Sequence, residues 1–101
     1  MPDYEWSVKT ALNISSGAEA VYGPITAGTQ YIIVDADSEV YIRFDGVATA
    51  NQIDSANDAR WPAKTPDPIA IPAKAGVSGS VYLHVKQTVS TASQKARIVE
   101  L

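Results

Sequence analysis

Between Tyr4 and Ile14 the even positions carry Tyr4, Trp6, Val8, Thr10, Leu12 and Ile14, while the odd positions carry Glu5, Ser7, Lys9, Ala11 and Asn13. Successive side chains of an extended backbone point to opposite faces, so this period of two predicts one long strand with a single buried face. The aliphatic residues point the same way, because ten Val and nine Ile stand against three Leu. Val and Ile are stiff at χ1 and pack well on a pleated surface. Fifteen Ala dilute the signal, but most sit in turn-like company such as Gly17-Ala18-Glu19-Ala20.

Turn residues then divide the chain. Ser15-Ser16-Gly17 ends the first strand, and Ala20 to Ile25 is interrupted by Gly23-Pro24, which suits an edge strand or an irregular crossing rather than a central strand. Gln30 to Asp35 is apolar on both faces, as expected of a central strand between two layers or beneath a neighbouring subunit. After Asp35-Ala36-Asp37-Ser38, residues 39 to 45 alternate again, and the two segments together read as a hairpin. Residues 46 to 67 read as a long irregular loop with a short helical turn near Asp54 to Ala59. Ile69 and Ile71, bracketed by Pro66, Pro68 and Pro72, fit a short edge strand, and Val81 to Thr88 and Ala96 to Leu101 supply two more strands. Six or seven short strands with turns about every ten residues predict an all-β fold, a single small antiparallel β-sandwich over residues 1–101, jelly-roll-like or Ig-like.

Size and charge narrow the function classes. A chain of 101 residues buries roughly 60 to 68% of its unfolded surface, enough for one modest core. It has no cysteine, which removes disulfides, thiolate metal sites and a Cys nucleophile. The segment Met1-Pro2-Asp3-Tyr4-Glu5 is acidic where a signal peptide is basic, and no apolar run approaches the roughly 20 residues of a membrane span. Synthesis in the cytoplasm and no membrane partner are the expectations. Asn13-Ile14-Ser15 matches a glycosylation pattern that, with no secretory signal, reads as chance. Residues 1 to 59 hold nine acids against Lys9 and Arg43, and residues 60 to 101 hold six bases against Asp67 and Glu100. If these halves separate in space the surface is bipolar; if antiparallel strands interleave them the asymmetry disappears.

The residues that could carry chemistry have plainer readings. His84 is the only histidine and lies mid-strand with Tyr82 and Lys86 on the polar face, which predicts a solvent-facing or interface side chain. A Ser-His-Asp triad lacks the supporting Gly-x-Ser-x-Gly elbow. Asp35, Asp37 and Glu39 resemble the start of a calcium loop, but Val40 and Gly46 stand where that loop needs Gly and Glu, so the segment reads as a polar turn. Asp54, Asn57 and Asp58 fit turn chemistry better than a cation site. The net charge of −3 argues against nucleic acid as a partner. Trp6 reads as core, whereas Trp61, in Arg60-Trp61-Pro62, is either an interface side chain or a lid on the sandwich.

Ser38-Glu39-Val40-Tyr41-Ile42-Arg43-Phe44-Asp45-Gly46, then Ala48-Thr49-Ala50, the Pro-flanked Ile69 to Pro72 and Val81-Tyr82-Leu83-His84-Val85 resemble small β-sandwich virion proteins of tailed bacteriophages. The match covers roughly the last two-thirds of the chain. It implies a capsid decoration or cement protein on the capsid exterior, a dimer or trimer that bridges major capsid protein subunits without cofactor, metal or catalytic residues. Arg43 falls at the position of that family's Arg. The interface candidates are Tyr4, Trp6, Arg43, Arg60 and Trp61, with the N-terminal segment and the 46 to 67 loop as contacts. The competing expectation is a tail-fibre-associated or carbohydrate-binding module stacking sugars on Trp61, Tyr41 and Tyr82. A third reading, a metal-assisted hydrolase, would need Asp54, Asp58 and His84 to converge.

Overall fold

Alternation of apolar and polar residues produces eight strands in a computed structural model that describes residues 10–15, 17–72, 80–90 and 92–101. They are β1 (Thr10–Ile14), β2 (Ala20–Tyr22), β3 (Tyr31–Ala36), β4 (Val40–Asp45), β5 (Ala59–Trp61), β6 (Pro68–Ala70), β7 (Tyr82–Gln87) and β8 (Gln94–Glu100). Tyr4 and Trp6 lie outside the described residues. Among the described residues no helix is long and apolar enough to cross a membrane.

Pairing follows one rule: β1 pairs with β8, β2 with β7, β3 with β6 and β4 with β5, all antiparallel. The chain is thus one long hairpin whose tip is the 46–58 segment, wound so that alternate pairs fall in opposite sheets. Contacts of β8 with β3 and of β7 with β4 complete two four-stranded sheets, β1-β8-β3-β6 and β2-β7-β4-β5. This is the strand order of an eight-stranded jelly roll, which decides between the two expected sandwich types.

Two sequence expectations change. The turn at Asp37 to Glu39 does not close a hairpin: β3 and β4 belong to different sheets, so the segment is an arch between layers. The 46 to 67 segment is not a continuous loop, because Ala59–Trp61 pairs with β4. Three residues flanked by prolines and turn formers are too short for a periodic signal to stand out. The helical turn does occur, closed by the Asp58 N–H donating to the Asp54 carbonyl at 2.8 Å. The proline-bounded strand β6 and the strand before Gly23-Pro24, β2, both take edge positions.

The core lies between the sheets. Ile14, Ile32, Val34, Ala36, Ala96 and Ile98 from one sheet meet Tyr22, Val40, Ile42, Leu83 and Val85 from the other. Ile33 and Val99 pair on the opposite face of the first sheet, and both are buried within the single chain. The two-faced apolar character of β3 therefore reflects cover supplied by the chain itself rather than a need for a neighbouring subunit. Strands from the basic half, β7 and β8, lie between strands from the acidic half in both sheets, so the charge asymmetry of the sequence is interleaved.

Polar contacts among the described residues tie the sheets together. At one end Glu100 accepts from the Tyr22 hydroxyl across the sandwich and, at 2.9 Å each, from Thr26 N–H and the Thr29 hydroxyl. At the open edge Trp61 turns its ring to the core and donates its indole N–H to the carbonyls of Val34, at 3.0 Å, and Thr65, at 3.1 Å. Ile98 is fully buried in the central strand of its sheet. Ile98→Ala leaves a cavity that flanking strands on both sides keep from collapsing, and urea denaturation is expected to show a loss of about 2–5 kcal/mol.

Candidate functional site

The strand β7 points Leu83, Val85 and Gln87 into the sandwich and Tyr82, His84 and Lys86 outward; β4 points Val40, Ile42 and Phe44 inward and Tyr41, Arg43 and Asp45 outward. The β4·β7 register sets His84 directly beside Arg43. An outward histidine is expected to meet solvent. His84 is instead 0% exposed, because the segment before β2 and the chain after β4 fold over it.

Its partners are two carboxylates. His84 Nδ1 lies 2.7 Å from Glu19 Oε2, and Nε2 lies 2.7 Å from Asp45 Oδ1 and 2.9 Å from the Val47 carbonyl. Each acceptor is itself fixed. The Glu19 side chain, 2% exposed, receives N–H bonds from Gln52 and Ile53 at 2.8 to 3.1 Å. Asp45 receives the Val47 N–H and Arg43 Nε, both at 2.9 Å. Arg43 continues the chain through Nη1 to the Asp58 carboxylate at 3.2 and 3.3 Å, and Asp58 accepts the Asp54 N–H at 2.7 Å. One connected network, Glu19, His84, Asp45, Arg43 and Asp58, therefore pins the tip of the long hairpin against the sheet.

The electrostatics follow from this wiring. Burial pushes the Glu19 carboxyl up, but the N–H groups of Ile53 and Gln52 together with His84 outweigh it and hold the group below its ordinary value. Asp45 behaves alike: burial opposes ionisation, and the Val47 N–H, Arg43 and His84 bring the net shift down. Each imidazole nitrogen thus has a carboxylate oxygen within hydrogen-bond distance. Chemically the arrangement resembles part of a relay without its working end. Each ring nitrogen already faces a protein oxygen, and the geometry is that of a clamp.

Sequence reasoning missed Glu19 and Asp45 as partners of His84. They lie 65 and 39 residues away in the chain, and only the pairing of β7 with β2 and β4 brings them together. The convergence of Asp54 and Asp58 with His84 that a metal-assisted hydrolase would need does not form. Asp58 binds Arg43 and Asp54 caps its own turn through Ala56 N–H and Asn57, and among the described residues no group of three or more ligating side chains could hold a metal ion. Of the interface candidates, Arg43 is committed to Asp45 and Asp58, Trp61 is half-buried against the core, and Arg60 is exposed on the outer face of β5. An open groove of about 440 Å³ runs beside Arg43, walled by Ile42, Phe44, Asp58, Ile69 and Pro72.

Scanned against protein-family models, curated proteins and solved structures, the chain matches none of them.

His84→Leu leaves Glu19 and Asp45 facing each other without their shared donor, and chemical denaturation at pH 7 is expected to show a loss of about 3–5 kcal/mol. Glu19, Asp45 and Glu100 have folded pKa values below their unfolded ones, so their contribution is complete above the ordinary carboxyl values of 3.8 and 4.5 and disappears as pH falls through the lower folded values. Denaturation midpoints are therefore expected to drop below about pH 4.5, and Glu19→Gln to flatten part of that slope.

Proposed function

We propose that this chain is a non-enzymatic structural protein of a phage virion, a capsid decoration or cement protein that docks on the capsid exterior and bridges major capsid subunits. The observation that carries this reading is the eight-stranded jelly roll, an architecture that recurs in viral capsid and lectin domains. A fold is only a scaffold, so the assignment also leans on the site. The Glu19, His84, Asp45, Arg43 and Asp58 network satisfies itself internally and stiffens the hairpin tip, which suits a rigid surface that holds neighbours more than a pocket that transforms a substrate. The resemblance of Ser38 to Gly46 and Val81 to Val85 to phage virion proteins supports the same class. A dimer or trimer is the assembly state this reading favours, since copies bridging equivalent junctions share the lattice symmetry.

A carbohydrate-binding module is the second reading, and one observation favours it: Tyr31 leaves 46% of its surface exposed beside the edge strand β6. The two readings differ in what binds. Capsids lacking the protein are expected to take it up to saturation and to gain resistance to heat and chaotrope. No uptake and unchanged capsid resistance would overturn the decoration assignment. Retention on a glycan array, lost in Tyr31→Ala, would favour the sugar-binding module.

A further inference from the structure

The outer face of the β2-β7-β4-β5 sheet carries a row of three side chains whose register is fixed by backbone pairing. Lys86 of β7 stands directly opposite Tyr41 of β4, and Tyr41 stands directly opposite Arg60 of β5. Neighbouring strands lie about 4.8 Å apart, so the two cations flank the phenol at backbone positions roughly 10 Å from each other. All three point away from the core, because their strand neighbours Val85, Val40, Ile42 and Trp61 belong to it or pack against it.

This row differs from the other cations nearby. Arg43 is bound to Asp45 and Asp58, and Arg97 to Asp37. Among the described residues no carboxylate lies within ion-pair distance of Lys86 or Arg60. The acids along the same strands are already engaged. Glu39, two residues before Tyr41, accepts the Thr88 hydroxyl at 3.0 Å, and Asp58, two residues before Arg60, holds Arg43. Among the described residues, two cations on one sheet face thus stand without an ion pair on either side of a tyrosine.

From this we infer that the Lys86, Tyr41 and Arg60 row is a docking strip for an acidic stretch of a partner protein, whose carboxylates meet the two cations while its backbone or an apolar side chain covers the Tyr41 ring. Tyr and Arg are the residue types over-represented at the energetic centres of protein interfaces. The net charge of −3 favours a local acidic patch over a polyanion: a line of phosphates or sulfates is repelled by the whole molecule, whereas a patch is felt within a Debye length of about 8 to 10 Å. The strip gives a binding surface to the decoration reading but does not depend on it, and the two can fail separately.

A short labelled peptide of Glu and Leu residues serves as the probe in a fluorescence anisotropy titration, with heparin as a polyanion for comparison. The native protein is expected to bind this peptide in a salt-dependent way, and Lys86→Glu combined with Arg60→Glu to weaken that binding by roughly tenfold or more. A control pair, Lys64→Glu with Lys95→Glu, changes net charge equally at exposed positions off the strip and is expected to weaken it by less than about threefold. Thermal melts of both variants verify that the fold is retained. Equal weakening by the two pairs, absence of binding by the native protein, or tighter strip-dependent binding of heparin would each overturn the proposal.

Discussion

A histidine buried between two carboxylates governs how this jelly roll is finished. The pairing of the sheets leaves His84 on an outer face, where its ring would ordinarily be hydrated. Two chain segments cover it, the one before β2 bringing Glu19 and the one after β4 the Val47 carbonyl, while Asp45 at the end of β4 supplies the second carboxylate. Removing two acids and an imidazole from water is costly unless every hydrogen-bonding position is filled. That condition explains the supporting shell. The N–H groups of Val47, Gln52 and Ile53 all turn toward these carboxylates, which fixes the path of the hairpin tip residue by residue.

Apolar packing is concentrated in the four central strands. The four edge strands include three of only three residues, β2, β5 and β6, and short strands bury little. Polar links fasten this periphery. Glu100 joins Tyr22 of β2 to the opposite sheet, Trp61 carries β5 to the Val34 carbonyl, and the Lys64 N–H donates to the Ala36 carbonyl. These last two bonds satisfy the margin of β3 beyond its pairing with β6, which ends at Ile33 opposite Pro68. Short edges sealed in this way also limit pairing with other chains through open strand margins.

The fold was legible where periodicity operates. Alternation over Val40 to Asp45 and Tyr82 to Gln87 gave the strands and their inward faces, and proline and glycine correctly marked β2 and β6 as edges. Topology was less so. Asp35-Ala36-Asp37-Ser38 has the composition of a hairpin turn, but whether a turn joins neighbours in one sheet or arches between two depends on the partners β3 and β4 find elsewhere in the chain. The site was hidden for the same reason. His84 looks solvent-facing by parity alone, and its burial arises from Glu19 and Asp45, whose approach is decided by long-range pairing.

The distribution of charge follows from the topology of the roll. Sorting acids into the first half and bases into the second would create a dipolar molecule if the halves folded separately. A roll that pairs first with last and second with seventh instead threads the basic strands between acidic ones. Compensation is then mostly local: Arg97 meets Asp37, and Arg43 meets Asp45 and Asp58. Where acids have already been drawn into that wiring, the cations they would otherwise have neutralised are left over. Among the described residues Lys86 and Arg60 make no ion pair and share one sheet face. The network that pins the hairpin tip thereby also determines which cations on that face lack a carboxylate among the described residues.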